Sequence, residues 1–349
     1  MSLFRTHLLP AGHGDCIVIE YGPPAQPHRI LIDGGTQGTW KRLKEFIQAL
    51  PKQARKFELL VVTHVDADHI AGALGIFDGS VEGLEFDDIW FNGWRHLSEL
   101  EEQGPVQGEK LTSLLWPRMD RWNKAFGGKA VVVPETGDLP TVTLPGGMKL
   151  TLLSPTRAKL QALRPEWKKK CQEAGLDPQV KPPEHPQGLE PMGAINVDNL
   201  AAEPFVEDPE EPNGSSIAFL AEFKGKKVLF GADAHPSVLM KSIARLPGGK
   251  VQVDAFKLPH HGSKKNVSTE LLNLVQTNRY LFSTNGSYFK HPSREAVARV
   301  IHRRVPGCEL RFNYKSAYTQ VWDSESLRQK WGFATSYPAS DDAGDTLEL

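Results

Sequence analysis

Short apolar runs separated by turns recur along the chain and predict an alternation of β-strands and helices. In the first third of the chain, the runs that predict strands are residues 3–9, 17–19, 29–32 and 59–62. Apolar side chains at helical spacing from Trp40 to Leu50 predict an amphipathic helix that ends before Pro51. A further helix is predicted to begin near Ile70, so this part of the chain has the order β-β-β-α-β-α.

The later runs continue this pattern and predict a mixed α/β fold. Further strands are predicted at residues 86–91, 129–133, 141–144, 149–153, 217–221, 228–233, 254–258, 280–284, 309–312 and 317–322. Helices are predicted at residues 237–245, 268–276 and 296–301, and the polar stretch 93–128 is expected to be largely helical.

The stretch 157–212 differs in composition from the rest of the chain. A short basic segment, Lys168–Lys170, is followed by many prolines and then by a series of acidic residues. This composition is typical of an irregular surface excursion, which would be either a variable insertion or a lid beside a site. We expect it to belong to a single domain of residues 1–335, followed by a flexible acidic tail at residues 336–349.

Composition limits the possible classes of protein. The 349 residues are 40% hydrophobic and 24% charged, as in ordinary soluble globular proteins. A net charge of -1 gives no overall attraction to nucleic acid, so any such binding would need a local basic patch. The 3 cysteines are far apart and lack metal-binding spacing, which favours a reducing compartment. Because no apolar run approaches the roughly 18 residues of a membrane span, we expect a cytoplasmic protein without membrane contact.

Four potential metal ligands follow the predicted strand 59–62 within six residues. His64 and Asp66 are two positions apart where the strand ends, so both side chains can point the same way. Asp68 and His69 then begin the next predicted helix. Any one of these residues would ordinarily be a surface charge in a polar turn. Four at this spacing favour a hydrolytic divalent metal, and two pairs could serve two adjacent ions.

Further acidic and imidazole side chains lie at or just beyond the carboxyl ends of other predicted strands. Loops at that edge of a sheet can converge, so these residues are candidates for the same site. They are Asp33, Asp233, His260, His261 and His291.

Together, these residues resemble the motifs of the metallo-β-lactamase superfamily, whose second motif is HxHxDH. The similarity is greatest to the soluble hydrolase-like domain of DNA-uptake channel proteins of the ComEC/Rec2 type. Shared motifs are Gly12-His13-Gly14-Asp15, Asp33-Gly-Gly, His64-x-Asp66-x-Asp68-His69, Asn213-x-x-Ser216, Gly231-Ala-Asp233, Pro259-His-His-Gly-Ser263 and His291-Pro292. The fold class that the resemblance implies is α/β, an αββα sandwich of two mixed sheets flanked by helices, in a free-standing relative of that domain.

The resemblance also implies two sets of metal ligands, with Asp233 bridging them. One set is His64, Asp66 and a third ligand, and the other is Asp68, His69 and one histidine of the 260–261 pair. His261 is the expected ligand, because in the family a small residue and a serine follow the ligand histidine, as Gly262-Ser263 do here. His260 would then support the site or enter the core, and Asp33 would hold a ligand histidine by a hydrogen bond.

Two departures from the wider superfamily concern the first ion. Asp66 stands where the motif usually has histidine, and no histidine precedes Ser215-Ser216, where the third motif usually supplies one. The site therefore has more oxygen donors and fewer nitrogens, so we expect one or two ions of Zn²⁺ or Mn²⁺.

The expected chemistry is hydrolysis by a metal-activated water. Asp68 could orient this water, and His291 or His13 could protonate the leaving group. The resemblance favours a phosphodiesterase or nuclease. The pair Lys264-Lys265 would contact phosphate, and Asn213 is also assigned to substrate binding.

Two alternatives remain open. The substrate could instead be a small phosphoester or a nucleotide, because one fold hosts many reactions. Relatives of this free-standing kind also look like components of multi-gene bacterial defence modules. The chain could therefore be a subunit that binds partner proteins through a partial or vestigial site.

Overall fold

The layers of the fold follow from strands whose alternate side chains enter different hydrophobic clusters. A computed structural model of the chain describes residues 2–97, 110–167, 169–170 and 195–349. In the strand around Leu31, Ile30 and Ile32 face an inner cluster, whereas Leu31 faces a cluster that includes helical residues. Because both faces are buried, such strands are almost continuously apolar, which explains the runs in the sequence.

The first sheet has 6 strands in the order β18-β1-β2-β3-β5-β7. Their bounds are β1 Leu3–Leu8, β2 Ile17–Gly22, β3 His28–Ile32, β5 Leu59–Val61, β7 Ile89–Trp90 and β18 Asp345–Glu348. Strands β1, β2 and β3 form an antiparallel meander, and β3, β5 and β7 are parallel. The carboxyl ends of β3 and β5 therefore meet at one edge of the sheet.

The second sheet has 8 strands in the order β17-β16-β15-β13-β11-β10-β9-β8. Their bounds are β8 Thr141–Thr143, β9 Lys149–Ser154, β10 Ala218–Phe223, β11 Lys226–Phe230, β13 Ala255–Lys257, β15 Arg279–Phe282, β16 Cys308–Phe312 and β17 Phe333–Ser336. It is antiparallel from β8 to β11 and parallel from β11 to β17. Two small two-stranded sheets pair β4 Lys56–Phe57 with β6 Glu85–Phe86 and β12 Val251–Gln252 with β14 Val275–Gln276.

Helices cover the outer faces of the two sheets. Their bounds are Thr39–Ala49, Ala67–Ile70, Lys110–Leu115, Arg157–Ala162, Val197–Ala202, Glu211–Gly214, Pro236–Ile243, Thr269–Leu274, Arg294–His302 and Glu325–Trp331. Leu43 and Ile47 pack with Leu31 behind the first sheet, while Leu239 and Val297 pack behind the second. No helix in these described ranges is long and apolar enough to span a membrane.

The inner cluster joins the two sheets. Side chains from the first sheet, such as Ile32 and Trp90, are buried together with Phe219, Phe230 and Leu281 from the second. Burying each such side chain contributes about 1.5–3 kcal/mol, so this interface holds the two sheets together. The mixed α/β fold expected from the sequence, with two mixed sheets flanked by helices, is confirmed.

Two predicted strands are wrong. Residues 129–133 form only an isolated bridge, Val133 with Thr156, although Val131 and Val133 are buried in the inner cluster. Residues 317–322 contain the 3₁₀ turn Gln320–Asp323, because Ser316 and Thr319 bond to each other across the start of a turn. Val131, Val133 and Trp322 are buried although neither segment joins a sheet.

The chain end also differs from expectation. Instead of a flexible tail, residues 345–348 form β18 and pair with β1 at the edge of the first sheet. Asp345 accepts two hydrogen bonds from Arg311, at 2.7 and 3.0 Å, and Leu347 enters the inner cluster. Of the predicted excursion, residues 168 and 171–194 lie outside the described residues. The described flanks include helices Arg157–Ala162 and Val197–Ala202.

Candidate metal centre

The candidate site is built from loops that leave the carboxyl ends of parallel strands in both sheets. Strands β3 and β5 lead to Asp33 and to the segment from His64 to His69. Strands β11 and β13 lead to Asp233 and to the His260-His261 pair. Contacts between these side chains across the two sheets show that the loops converge, as the strand-end pattern predicted.

The ligand segment turns immediately after β5. The carbonyl of Asp66 accepts hydrogen bonds from the N–H groups of His69 and Ile70, which begins the short helix Ala67–Ile70. The turn before β2 packs directly against this helix, since Asp15 N–H donates to the carbonyl of Asp68 at 3.2 Å. A Cβ atom on Gly14 would lie 1.7 Å from that carbonyl oxygen, so only glycine allows the approach.

One ring nitrogen of His69 is held by a hydrogen bond, and the other ring nitrogen faces the centre of the cluster. Its Nδ1 lies 2.8 Å from Asp33 Oδ2, while Asp33 also accepts from the N–H and the hydroxyl of Thr63. The opposite ring nitrogen, Nε2, lies 3.3 Å from Asp233 Oδ2 and 3.2 Å from Nε2 of His261. Asp33 thus holds His69 by a hydrogen bond, and its role in supporting a metal ligand stays a prediction.

His261 has the same arrangement. Its Nδ1 lies 2.9 Å from the carbonyl oxygen of Ser283, and its Nε2 lies 3.3 Å from Asp68 Oδ2 and 3.7 Å from Asp233 Oδ2. With Nδ1 occupied by the carbonyl, Nε2 is free to act as a ligand.

His64 and Asp66 form a looser pair beside this cluster. His64 Nε2 lies 3.7 Å from Asp66 Oδ2 and 3.9 Å from Asp233 Oδ2, and its Nδ1 lies 3.0 Å from the hydroxyl of Thr63. Nε2 is buried and has no hydrogen-bond partner among the described residues. A buried ring nitrogen without a partner is costly unless something else binds it.

Asp15 belongs to the cluster but is missing from the predicted ligands. One oxygen of Asp15, one of Asp233 and a ring nitrogen each of His69 and His261 lie within 4.8 Å of one another. Asp15 Oδ1 contacts His261 on its Nδ1 side, at 3.4 Å, and Oδ2 lies 2.6 Å from Nζ of buried Lys257. We therefore interpret Asp15 as a residue that positions His261. Its signal in the sequence was the Gly-x-Gly-Asp turn.

The electrostatics of the cluster are balanced between imidazoles and carboxylates. Burial lowers the pKa of His69, but Asp233, Asp33 and Asp68 outweigh burial and raise that pKa well above its ordinary value. Burial likewise lowers the pKa of His261, yet Asp233, Asp15 and Asp68 raise it to about 9. Burial raises the pKa of Asp233, but the neighbouring histidines hold it well below its usual range.

The donor set therefore fits a divalent cation. Protons on His69 and His261 balance the buried carboxylates, and a cation that displaced them would supply positive charge in the same place. Imidazole nitrogens with carboxylate oxygens suit Zn²⁺ or Mn²⁺. The partnerless atoms His64 Nε2 and Asp233 Oδ1, both buried, point to the same conclusion for the described part of the chain. The assignment of individual ligands stays a prediction.

The two predicted proton donors lie on an aromatic rim that we define as His13, Tyr288, Phe289 and His291. The His13 ring stacks on Tyr288 with centroids 4.7 Å apart, and Phe289 stacks on His291 at 5.8 Å. The His291 ring is 5.2 Å from His260. Burial and the neighbouring His260 and His261 hold the pKa of His291 well below its ordinary value.

The three predicted substrate-binding residues lie in different surroundings. Lys264 is exposed and pairs with Glu295 at 2.7 Å, and Lys265 is also exposed. Asn213 is buried, and its Nδ2 donates to Asp208 Oδ2 at 2.6 Å, within 3.4 Å of His260 Nδ1. Asn213 thus lies behind the ligand loop, and the substrate role of all three stays a prediction.

Sequence comparison identifies the family of the chain. A family model described as the metallo-beta-lactamase superfamily matches residues 9–283, which include every strand-end residue of the cluster. No curated protein matches the chain.

Comparison with solved structures gives likenesses at low sequence identity. The Zn²⁺-bound PqqB from Methylobacterium extorquens is 13% identical, with a TM-score of 0.44 and coverage of 99% of this chain and 100% of that one. The metallo-beta-lactamase fold protein YhfI from Bacillus subtilis is 9% identical, with a TM-score of 0.42 and full coverage of both chains, 100% each. A mutant of the CmlA beta-hydroxylase is 14% identical, with a TM-score of 0.43 and coverage of 100% of this chain and 54% of that one.

Proposed function

The chain belongs to the metallo-beta-lactamase superfamily, and on this premise we propose that it is a metal-dependent hydrolase of phosphodiester bonds. The proposed ligands of one ion are Asp68, His69 and His261, and those of another include His64 and Asp66. Asp233 would bridge the two. Zn²⁺ and Mn²⁺ are the proposed metals because the donors are imidazole and carboxylate.

One observation carries the metal-dependent part of the proposal: a single oxygen of Asp233 is close to Nε2 of four histidines. The distances from Oδ2 are 3.3 Å to His69, 3.7 Å to His261, 3.8 Å to His260 and 3.9 Å to His64. A structural carboxylate is satisfied by direct hydrogen bonds, as Asp33 is by Thr63 and His69, whereas Asp233 Oδ1 has no hydrogen-bond partner among the described residues. Four imidazoles around one buried carboxylate are the arrangement expected of a bridging metal ligand.

The chain's own groups have definable tasks in hydrolysis. When bound, the metal supplies Lewis acidity and lowers the pKa of a coordinated water. Asp68 Oδ2 lies at the same centre, 3.3 Å from His261 Nε2, where it could accept a proton from the attacking water. His13, on the aromatic rim, is the proposed donor of a proton to the leaving oxygen, because the lowered pKa of His291 leaves that ring unprotonated near neutral pH.

The aromatic rim supports a nucleic-acid substrate. Phe289 is 45% exposed and lies edge-on to Tyr288, with ring centroids 4.1 Å apart. Exposed rings beside a phosphate-cleaving centre offer a stacking surface for a base, which single strands present more readily than duplexes. The resemblance of the sequence motifs to the ComEC/Rec2-type domain points to the same substrate class.

A second candidate, hydrolysis of small phosphoesters or nucleotides, is favoured by the state of the lysine pair. Lys264 is already paired with Glu295, and the net charge of the chain is -1. The electrostatic contribution to the affinity for long nucleic acids is therefore small. A vestigial site in a partner-binding subunit is the less favoured alternative. A cluster without function would have no reason to bury Asp233 among four histidines.

The test is a substrate panel with metal-depleted and metal-reloaded protein. The panel contains single-stranded DNA, duplex DNA, RNA, bis-p-nitrophenyl phosphate and a nucleoside monophosphate. We expect Mn²⁺- or Zn²⁺-dependent cleavage of the diesters, with single strands cut faster than duplexes. Asp68→Asn and Asp233→Asn should abolish it, and Asp254→Asn, distant from the centre, should not. Cleavage of the monophosphate alone would favour the second candidate.

A further inference from the structure

We propose that His260 is the third ligand of the ion held by His64 and Asp66, so that the adjacent His260 and His261 bind different metal ions. The proposal rests on the proposed metal-dependent function and deepens it. The third motif of this chain contains Ser215-Ser216 without the usual histidine, and His260 would supply the missing ligand.

The backbone explains how two neighbouring histidines can face one cluster. Both have left-handed conformations, with φ of 48° at His260 and 54° at His261. Non-glycine residues rarely adopt this region, and such strain is tolerated where the surrounding structure requires it. The ring planes are inclined by 74° with centroids 5.9 Å apart, so the rings approach Asp233 from different directions. Hydrogen bonds from His260 N–H to the Ala232 carbonyl and from Ser263 N–H to the His260 carbonyl, each 2.8 Å, hold the loop.

Acceptors on one side of His260 set which nitrogen faces the centre. Nδ1 lies 2.9 Å from Asn266 Oδ1 and 3.2 Å from Asp208 Oδ2, so the proton belongs on Nδ1. Asp208 is itself buried and accepts from Nδ2 of Asn213 and of Asn266, at 2.6 and 3.1 Å. A carboxylate behind one nitrogen of a histidine, with the other left free, is the usual support of a metal-bound histidine.

The free nitrogen lies near Asp233, the carboxylate that the incomplete ligand set shares. His260 Nε2 lies 3.8 Å from Asp233 Oδ2, and this oxygen lies 3.9 Å from His64 Nε2. Asp66 Oδ2 is 3.7 Å from His64 Nε2. Together these give two imidazoles and two carboxylates, about the four donors of a tetrahedral site. The partnerless His64 Nε2 is an independent sign that a ligand belongs there.

The segment without a histidine has a supporting role in this arrangement. Asn213 lies just before Ser215-Ser216, and its amide holds Asp208, which in turn holds His260. The third-motif region would thus act on the first ion through two hydrogen bonds rather than by direct ligation.

Cobalt binding tests the proposal independently of catalysis. Chelator-treated protein is titrated with Co²⁺, and bound metal is counted by equilibrium dialysis while the d–d absorption is recorded. We expect the wild type to bind two equivalents of Co²⁺ per chain. His260→Asn should bind one equivalent of Co²⁺ as tightly as the wild type and the other at least tenfold more weakly. Asparagine is the replacement because it tolerates the left-handed backbone. Asp208→Asn, which keeps the ring, should weaken the same equivalent about 10–100-fold. The exposed His302→Asn is the control.

The outcomes separate this proposal from the proposed function. Two unchanged equivalents in folded His260→Asn and Asp208→Asn would overturn the role of His260 while leaving a metal-dependent hydrolase intact. No cobalt uptake by the wild type would overturn both. Circular dichroism establishes that each variant is folded, and Asp208→Asn provides the answer if His260→Asn does not fold.

Discussion

Asp33 Oδ2 lies 2.8 Å from Nδ1 of His69, and neither side chain is exposed to solvent. This contact fixes the ring of His69 so that Nε2 faces Asp233. We expect Asp33→Asn to weaken metal binding about 10–100-fold, because the amide cannot accept the Nδ1 proton as strongly as a carboxylate does. Isothermal titration of metal-depleted protein with Zn²⁺ or Mn²⁺ measures this change.

The control for Asp33→Asn is Asp254→Asn. Asp254 also accepts a backbone hydrogen bond, from Lys227 N–H at 2.8 Å, but lies before β13, away from the centre. Equal metal affinities in Asp33→Asn and Asp254→Asn would contradict the supporting role of Asp33. Asparagine is the appropriate replacement, since Asp33 has a φ of 57°, a region that asparagine tolerates.

The buried ion pair of Lys257 and Asp15 is expected to be essential for stability. Their Nζ–Oδ2 distance is 2.6 Å, and the side chains are 1% and 2% exposed. Lys257→Met should cost about 3–5 kcal/mol of unfolding free energy, because it leaves the carboxylate buried without its cation. The double variant Asp15→Asn with Lys257→Met should cost less than the sum of the single changes. Urea unfolding gives all four values.

An exposed ion pair provides the comparison for Lys257. Lys226 pairs with Asp254 at 3.2 Å, but its side chain is 51% exposed, so Lys226→Met should cost less than about 1 kcal/mol. Similar costs for Lys226→Met and Lys257→Met would show that the Asp15 carboxylate is not buried as described.

Phe289 is expected to contribute to binding of a base beside the cleaved phosphate. Phe289→Ala should lower kcat/KM for a thymidine oligonucleotide about 5- to 150-fold, since stacking of one base contributes about 1–3 kcal/mol. Phe289→Trp should retain the activity. The same oligonucleotide with one abasic position next to the cleavage site should be insensitive to Phe289→Ala. Equal losses of kcat/KM on both substrates would mean that Phe289 supports the structure of the metal centre and does not bind a base.

The metal-free protein should lose stability as the pH rises from about 6 to 9. Neighbouring carboxylates raise the pKa of His261 from 6.5 to about 9. Protonated His261 therefore stabilises the fold fully below the unfolded pKa, and this contribution is lost as the pH approaches the folded value. We expect a fall of roughly 1–3 kcal/mol, measured by urea unfolding in the presence of a chelator.

Bound metal should reverse this pH dependence. Metal competes with the proton on His261, so its affinity should increase over the same interval and compensate for the lost stability. His261→Asn should make the profile of the metal-free protein less steep, while His69, whose pKa is also raised, keeps part of the dependence. A profile that is equally steep in His261→Asn would assign the effect to other groups.

The sequence predicted the parts of the site that follow from strand direction. Asp33, Asp233 and the residues from His64 to His69 end parallel strands, and the carboxyl ends of such strands meet at one edge. Burial on both faces likewise made the central strands recognisable as continuous apolar runs, as in Ile30, Leu31 and Ile32, which face alternate clusters.

Contacts between distant segments could not be predicted in this way. Lys257 and Asp15 are 242 positions apart and meet because the two sheets face each other. Asp208 belongs to an acidic stretch that resembles any solvated surface, so nothing marked it as the partner of His260. The terminal strand β18 has only one apolar inward residue, Leu347, and depends on backbone pairing with β1, which leaves no pattern in the chain.

The most direct test of the centre is to measure bound metal and phosphodiester hydrolysis in the same samples. Metal-depleted protein is reloaded stepwise with Mn²⁺ or Zn²⁺, and metal content and cleavage of bis-p-nitrophenyl phosphate and single-stranded DNA are recorded at each step. The expected result is no hydrolysis without metal, a rate that rises with occupancy, and neither tight binding nor hydrolysis in Asp233→Asn. Hydrolysis that persists without metal, or full metal occupancy without cleavage of either diester, would contradict a metal-dependent phosphodiesterase.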